Sequence, residues 1–259
     1  MDTAAVLDLL RDVAQRVINP RFRDLSDEQV MEKNPGDLVT VADHEAETLI
    51  TEALSTAYPD AVILGEEAQA ADPALLERYD AAEHAFTVDP VDGTKNFVHG
   101  SRDHAVMVAE VRDGRTVRGW IWQPQHQAGY VAELGQGVRR DGVLLQRAAP
   151  PRDPGELDVR TSHRPFVGAE PGPLRPLELT WVCCGVDYPH LLQGDADATI
   201  YTRTKPWDHA PGALMVTEAG GFVGTFDGTP YVPQGSSRGI VVAADRPTYD
   251  VVQRAVAEL

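Results

Sequence analysis

The segment Val88–Phe97 constrains this chain more than any other part of its sequence. It places Asp89 and Asp92 three residues apart, directly after an apolar run that predicts a short buried strand. A Pro/Gly-constrained turn can aim both carboxylates at one point and leave the carbonyl of Val91 without a ladder partner. Such hard oxygen donors suit Mg²⁺ better than zinc. For a lone pair of this spacing, a solvated loop is the favoured interpretation, and a metal site is the alternative.

Two further acidic segments favour a metal site over a solvated loop as the interpretation of Asp89 and Asp92. Gly65-Glu66-Glu67 also follows a short apolar run, and ligand sites in open α/β sheets gather at the carboxyl ends of strands. Asp208 begins a predicted helix, where taken alone it is interpreted as an ordinary N-cap. Gly93 and Thr94 supply backbone N–H groups that can receive phosphate oxygens.

The remaining pattern predicts a mixed α and β chain. Apolar spacing of 3.6 residues predicts helices over 6–17, 41–57, 188–193 and 208–219, and one from about 247. Short apolar or alternating runs predict strands at 61–64, 85–88, 105–111, 118–122, 129–133, 180–183, 198–202 and 239–243. The stretch 26–36 is predicted to be polar and irregular. The proline-rich stretch 148–178 is the predicted junction between two halves.

Composition excludes several classes of function. The formal charge is −17, which disfavours binding to a nucleic-acid backbone or to an anionic membrane surface. No apolar run is long enough to span a bilayer, and the acidic N-terminus does not resemble a signal peptide. The only two cysteines, Cys183 and Cys184, are adjacent, so we expect buried, unreactive thiols in a cytoplasmic protein.

Taken together, the acidic segments resemble the signatures of the inositol monophosphatase family. The matching stretches are Gly65–Glu67, Asp89–Phe97 and Trp207–Gly212. Asp37–Asp43 and Glu218–Gly221 resemble two further family segments. The resemblance covers about residues 30 to 224.

This resemblance implies an α+β fold, a layered α/β/α/β/α sandwich of the inositol monophosphatase and fructose-1,6-bisphosphatase type. We expect one unit over 1–259 with two internal halves. The half 1–147 would carry the metal loops and the large sheet, and the half 148–259 would carry Asp208. The family also implies a homodimer.

The resemblance further implies a hydrolase, a phosphatase that uses two or three Mg²⁺ ions to cleave a small phosphorylated metabolite. Glu66, Asp89 and the Val91 carbonyl would hold the first ion, and Asp89, Asp92 and Asp208 the second. Water activated by the metal would attack phosphorus, helped by Thr94, which Asp43 would orient. Glu66 and Asp89 are thereby also catalytic candidates. Gly93, Thr94, Tyr201 and Asp208 are the candidate substrate-binding residues.

The sequence departs from the family where specificity is expected. Inositol-specific members carry an acidic residue where this chain has Tyr201, and the central segment around Cys184-Gly185 is altered. Inositol-phosphate-like substrates are expected, with histidinol phosphatase and 3′(2′),5′-bisphosphate nucleotidase activities as alternatives. A non-catalytic relic that binds metal or phosphate is the remote alternative.

Three further residues near the acidic segments have two interpretations each. Lys33 is interpreted as a solvated surface lysine, with a role at the metal site as the alternative. His209 is interpreted as lying on the helix surface, with a substrate contact as the alternative. Glu67 is expected at the rim or behind the ligands rather than among them.

Overall fold

A seven-stranded sheet forms the larger β-layer of the chain, whose computed structural model describes residues 1–34 and 36–259. Its strands, in spatial order, are β3 (Val62–Gly65), β4 (His84–Asp92), β5 (Ala105–Arg112), β6 (Arg115–Gln123), β7 (Ala128–Glu133), β8 (Val138–Arg140) and β9 (Val143–Leu144). Only β3 and β4 pair in parallel; every later pair is antiparallel. The Asp-Gly turns at 113–114 and 141–142 have positive φ at both residues, the geometry that tight hairpins need.

A five-stranded sheet forms the smaller β-layer. Its strands, in spatial order, are β11 (Glu178–Leu179), β10 (Val159–Thr161), β12 (Ala198–Tyr201), β14 (Ile240–Ala243) and β13 (Phe222–Thr225). A separate hairpin consists of β1 (Val30–Asn34) and β2 (Asp37–Thr40). Pro35, within the stretch predicted to be irregular, lies outside the described residues.

Eight α-helices separate and cover these sheets in the part of the chain that the structure describes. They are α1 (Thr3–Val13), α2 (Val41–Ala57), α3 (Glu66–Ala71), α4 (Ala74–Asp80), α5 (Thr94–Val98), α6 (Cys184–Gln193), α7 (Pro206–Glu218) and α8 (Arg246–Val256). Helix α1 continues through a π-helical stretch, Ala14–Ile18, and a 3₁₀ turn, Asn19–Arg21. None of these helices combines the length and the apolar character that a bilayer crossing requires.

Strand β5 shows why its sequence is apolar throughout. Val106 and Val108 pack against the buried faces of α1 and α2, whereas Ala105 and Met107 pack against α6 and α7. A strand covered on both faces has no solvent-facing side, so its pattern is continuous rather than alternating.

The two sheets and their helices stack in five layers. Helices α6 and α7 lie between the sheets, because their buried residues contact both the large sheet and Ile240 and Val242 of the small one. Helix α8 covers the far face of the small sheet through Tyr249 and Val252. The predicted layered α/β/α/β/α sandwich is therefore confirmed. The division into halves at residue 147 stays a prediction.

Local predictions were most accurate where a helix has clear start signals. Helix α2 has the predicted bounds, and Thr40 and Asp43 form its capping box. The strand predicted at 180–183 is wrong: β11 ends at Leu179, and α6 already begins at Cys184. Between them Val182 adopts φ of 61°, a conformation that a β-branched residue rarely takes and that no strand contains.

Helix α7 approaches its neighbours so closely that only glycine fits at two contacts. A Cβ on Gly212 would lie 2.2 Å from the Tyr188 ring of α6. A Cβ on Gly119 of β6 would lie 2.9 Å from the Cα of Pro211. These contacts fix α7, and with it Asp208, against the large sheet.

We expect Gly212→Ala to destabilise the fold by about 2 kcal/mol or more, because the added methyl group overlaps the Tyr188 ring. Denaturant unfolding measures the change. Gly155→Ala is the matched control, since a Cβ there meets no atom closer than 3.4 Å. Equal stabilities of the two variants would contradict the close approach of α6 and α7.

Candidate active site

An irregularity in β4 brings Asp89 and Asp92 to one face of the large sheet. Residues three apart on a regular strand point to opposite faces. Here the pairing with β5 shifts between them: Asp89 lies opposite Met107 and Asp92 opposite Ala105, so β4 contains one extra residue. Because Met107 and Ala105 face α6 and α7, both aspartates face these helices as well. The convergence expected of a turn is thus produced within the strand itself.

Asp208 joins this pair from α7. The N-cap of α7 is Lys205 rather than Asp208, and Pro206 occupies the first helical position. The interpretation of Asp208 as an N-cap is therefore wrong, which leaves its carboxylate for another role. Carboxylate oxygens of Asp89, Asp92 and Asp208 all lie within 4.8 Å of one another.

Glu66 lies at the end of β3, beside the two aspartates of β4, because β3 and β4 run parallel. Its carboxylate accepts a hydrogen bond of 2.7 Å from Lys33 Nζ, which also donates to Glu67 at 2.9 Å. Burial alone would lower the pKa of Lys33, but the two carboxylates raise it above its ordinary value. The interpretation of Lys33 as a solvated lysine is therefore wrong, since it is paired beside the acidic cluster.

Helix α3, which carries Glu66, is held from behind by Glu47. The Glu47 carboxylate accepts hydrogen bonds of 2.8 Å from the N–H groups of Glu67 and Ala68. Gly65 permits this contact, since a Cβ there would lie 2.3 Å from the Glu47 carboxyl carbon. A buried carboxylate from α2 thus caps α3 and fixes the position of Glu66.

Thr94 connects the acidic cluster to Asp43. Its hydroxyl group lies 3.2 Å from Asp43 Oδ1 and 3.0 Å from the Val91 carbonyl oxygen, both of which are acceptors. Burial raises the pKa of Asp43 to about 7, although hydrogen bonds from Thr40 oppose the shift. Gly93 precedes Thr94 at φ of 80°, which favours glycine, and a Cβ there would crowd Cys183.

The chemistry of these donors fits divalent magnesium ions. Burial raises the pKa of Asp89 well above its ordinary value, and Glu66, Asp92 and Asp208 raise it further. Among the described residues, the buried Oδ1 atom of Asp89 has no hydrogen-bond partner. An orphaned carboxylate oxygen among repelling carboxylates is stabilised by a bound cation, and oxygen-only donors favour Mg²⁺.

A cleft of about 1120 Å³ opens beside the cluster. Glu66 and Asp208 contribute to its wall. Basic side chains contribute to the same wall, namely Lys33, Lys95, Arg203 and Lys205. A small anionic ligand can therefore reach the carboxylates through this cleft, and the basic side chains of its wall attract such a ligand.

Tyr201 does not reach this cleft. Only 2% of its surface is exposed, and its hydroxyl group donates to the buried Asp187 carboxylate at 3.1 Å. The side chain also stacks on Tyr188. The prediction that Tyr201 binds substrate is therefore wrong in this structure, because β12 directs the ring into the contact with α6.

His209 is buried, so its interpretation as a helix-surface residue is wrong. One ring nitrogen lies 3.0 Å from the Tyr188 hydroxyl group and the other 2.8 Å from the Arg203 carbonyl oxygen. Burial lowers the pKa of His209 to about 4, so the ring is neutral at physiological pH. The histidine joins α7 to the segment that precedes it.

The adjacent cysteines differ in exposure, since Cys183 is buried and Cys184 is half-buried, so the expectation of two buried thiols is correct only for Cys183. Cys183 is buried, and its thiol donates to Asp92 Oδ2 at 3.0 Å, while the N–H of Gly185 donates to the same oxygen. Burial, followed by the nearby Asp92, raises the pKa of both thiols well above the ordinary value. Cys183 therefore orients Asp92, a role that the sequence did not reveal.

Comparisons with known proteins point to one family. The inositol monophosphatase family matches residues 2–259. The chain is 31% identical to an inositol-1-monophosphatase of Mesorhizobium japonicum, covering 99% of this chain and 96% of that protein. It is 33% identical to the Nus factor SuhB of Pseudomonas aeruginosa, covering 77% and 76%.

Solved structures show the same similarity. An IMPase of Thermotoga maritima superposes with a TM-score of 0.81 at 25% identity, covering 98% of this chain and 96% of the other. The extragenic suppressor protein suhB of Bartonella henselae gives 0.76 at 29% identity, covering 97% and 98%.

We expect Mg²⁺ to raise the midpoint of thermal unfolding by about 5 °C or more over the value in chelator, because the ions bind only the folded cluster. In chelator, Asp208→Asn should be at least as stable as the unchanged protein, since it removes one repelling carboxylate. Its unfolding midpoint should rise less when Mg²⁺ is added.

The exposed Asp250→Asn on α8 is the matched control for a lost carboxylate. It should respond to Mg²⁺ as the unchanged protein does. A Mg²⁺ shift of full size in Asp208→Asn, or none in the unchanged protein, would contradict a metal site at this cluster.

Proposed function

This chain belongs to the inositol monophosphatase family, and from that membership we propose that it hydrolyses a small phosphate monoester with the help of Mg²⁺. The family match supports phosphatase activity in general. The observation that carries the specific proposal is the convergence of Asp89, Asp92 and Asp208 within 4.8 Å, with the Asp89 Oδ1 atom unsatisfied among the described residues.

The proposed metal ligands fall into two overlapping sets. Glu66, Asp89 and the Val91 carbonyl would hold one ion, and Asp89, Asp92 and Asp208 the other. When bound, Mg²⁺ lowers the pKa of water and stabilises the charge of the departing oxygen. The chain's own contribution is to hold the carboxylates at fixed positions, through the bulge in β4 and the close packing of α7.

Thr94 and Asp43 form the proposed proton path. The Thr94 hydroxyl group orients the attacking water and takes up its proton, while passing its own proton towards Asp43 Oδ1, 3.2 Å away. Thr40 holds the other Asp43 oxygen through its backbone N–H and its hydroxyl group. The carboxylate therefore presents a fixed oxygen to Thr94. Gly93 and Thr94 would also bind phosphate oxygens through their N–H groups.

An inositol-phosphate-like ester is the proposed type of substrate. The name of the Mesorhizobium japonicum relative supports it, whereas relatives named Nus factor SuhB carry no substrate in their name. We prefer catalysis to a non-catalytic relic because all four carboxylates and Thr94 are present. Asp89, Asp92 and Asp208 form one group, and Glu66 lines the same cleft as Asp208. Histidinol phosphate and nucleotide bisphosphates serve as comparison substrates.

We expect phosphate release from inositol 1-phosphate in Mg²⁺ and none in chelator. Asp89→Asn should lower kcat about 100-fold or more, because it removes a donor shared by both ions. Thr94→Val should lower kcat by a similar factor while Mg²⁺ still raises the unfolding midpoint, since the metal ligands stay intact. Release of inorganic phosphate measures each rate.

Asp250→Asn is again the matched control and should keep the full rate, because its carboxylate is exposed on α8. Near-normal turnover in Asp89→Asn would contradict the metal assignment. Magnesium binding without release from any ester of the panel would favour the relic instead.

A further inference from the structure

The cleft beside the carboxylates has more positive charge than a single phosphate group requires. The chain as a whole has a net charge of −17, yet Lys33, Lys95, Arg203 and Lys205 all line this one opening. Lys33 is occupied, since it pairs with two glutamates. Among the side chains that the structure describes, which do not include those of residues 34, 35 and 37, the other three form no ion pair.

These three basic residues of the cleft wall come from two segments of the chain. Lys95 follows Thr94 in α5 and reaches the β1–β2 hairpin, where its Nζ atom would lie 3.7 Å from a Cβ on Gly36. Arg203 and Lys205 belong to the segment that leads into α7. Lys95 is thus next to the proposed phosphate-binding residues, whereas Arg203 and Lys205 belong to a different segment of the cleft wall.

The segment 203–205 is fixed rather than free. His209 is buried and lies 2.8 Å from the Arg203 carbonyl oxygen, which it can reach only as a donor from that ring nitrogen. Thr204 donates to the Ser237 carbonyl oxygen at 3.1 Å. The ammonium group of Lys205 lies 5.3 Å from the centre of the Trp207 ring. Anchors on both sides hold the backbone that carries the two cations, which lowers the entropy lost when they bind an anion.

A charge balance indicates what the extra cations can bind. Two divalent ions would balance the charges of Glu66, Asp89, Asp92 and Asp208. The scissile phosphate would then meet the ions, Lys95 and the N–H groups at the start of α5. Arg203 and Lys205 remain for a further anion, and a guanidinium group suits the planar, bidentate recognition of phosphate or carboxylate.

We propose that Arg203 and Lys205 form a second anion subsite, and that the substrate carries a second phosphate or carboxylate group besides the phosphate that is cleaved. This inference rests on the proposed function. The ligand is a small molecule, since a cleft of about 1120 Å³ is near the size that such ligands occupy, and the −17 charge repels extended polyanions.

Matched pairs of esters test the subsite. Fructose 1-phosphate and fructose 1,6-bisphosphate differ by one phosphate group, and glycerol 2-phosphate and 2-phosphoglycerate differ by a carboxylate. We expect kcat/KM to be higher for the more charged member of at least one pair. Arg203→Gln and Lys205→Gln should each lower that preference about 10-fold, with little change for the less charged member.

Arg254→Gln is the matched control, because Arg254 is exposed on α8 and its loss changes the net charge equally. It should leave the preference unchanged. Added salt should weaken the preference of the unchanged protein, since the cations are exposed. The subsite proposal would be overturned if Arg203→Gln and Lys205→Gln lowered kcat/KM equally for both members of each pair, or if neither variant lowered it.

Binding separates this inference from the proposed function. With Ca²⁺ in place of Mg²⁺, calorimetry with fructose 1,6-bisphosphate and 2-phosphoglycerate reports affinity without turnover. If no ester is hydrolysed but binding weakens about 10-fold in Arg203→Gln, the proposed function fails and the subsite stands. If esters are hydrolysed and neither variant changes binding or preference, only the subsite fails.

Discussion

The mutual repulsion of buried carboxylates is the constraint on which the rest of this structure depends. Asp89, Asp92 and Asp208 place oxygens within 4.8 Å of one another, and their proximity opposes folding unless something of positive charge joins them. The surrounding chain meets this constraint with rigid supports. The extra residue in β4 turns two aspartates to one face, and the absence of a side chain at Gly212 lets α7 bring in the third. Two hydrogen bonds support the neighbouring segment that carries Glu66. Lys33 donates to the Glu66 carboxylate, and Glu47 accepts from the N–H of Glu67.

Further supports lie behind the acidic residues, in residues that are not part of the cleft wall. Cys183 and the N–H of Gly185 fix one oxygen of Asp92, and Thr40 fixes one oxygen of Asp43. Each contact leaves the other oxygen of its carboxylate for a different partner. The acidic cluster is therefore supported by residues from elements on both faces of the large sheet, α2 on one face and the start of α6 on the other.

The sequence predicted the layers and the acidic cluster because both depend on local patterns. Apolar spacing identified α2, and short apolar runs identified the strand before Glu66 and the strand that contains Asp89. The hairpin β1–β2 was missed, because its strands of five and four residues mix apolar and polar residues without regular alternation. The burial of Tyr201 and His209 was missed for another reason: the face that a side chain presents depends on packing with α6, which is distant in sequence. The bulge in β4 likewise depends on its pairing with β5.

The cluster joins parts of the chain that are made at different times. Asp89 and Asp92 lie in the large sheet, whereas Asp208 enters on a helix beyond the small sheet's first strands. A ribosome releases the chain from its N-terminus, so the first two aspartates emerge long before the third. The nascent chain can form most of its large sheet while the acidic cluster is still incomplete. Assembly of the cluster is then a late event, and a chain truncated before α7 retains the sheet's sequence without this cluster.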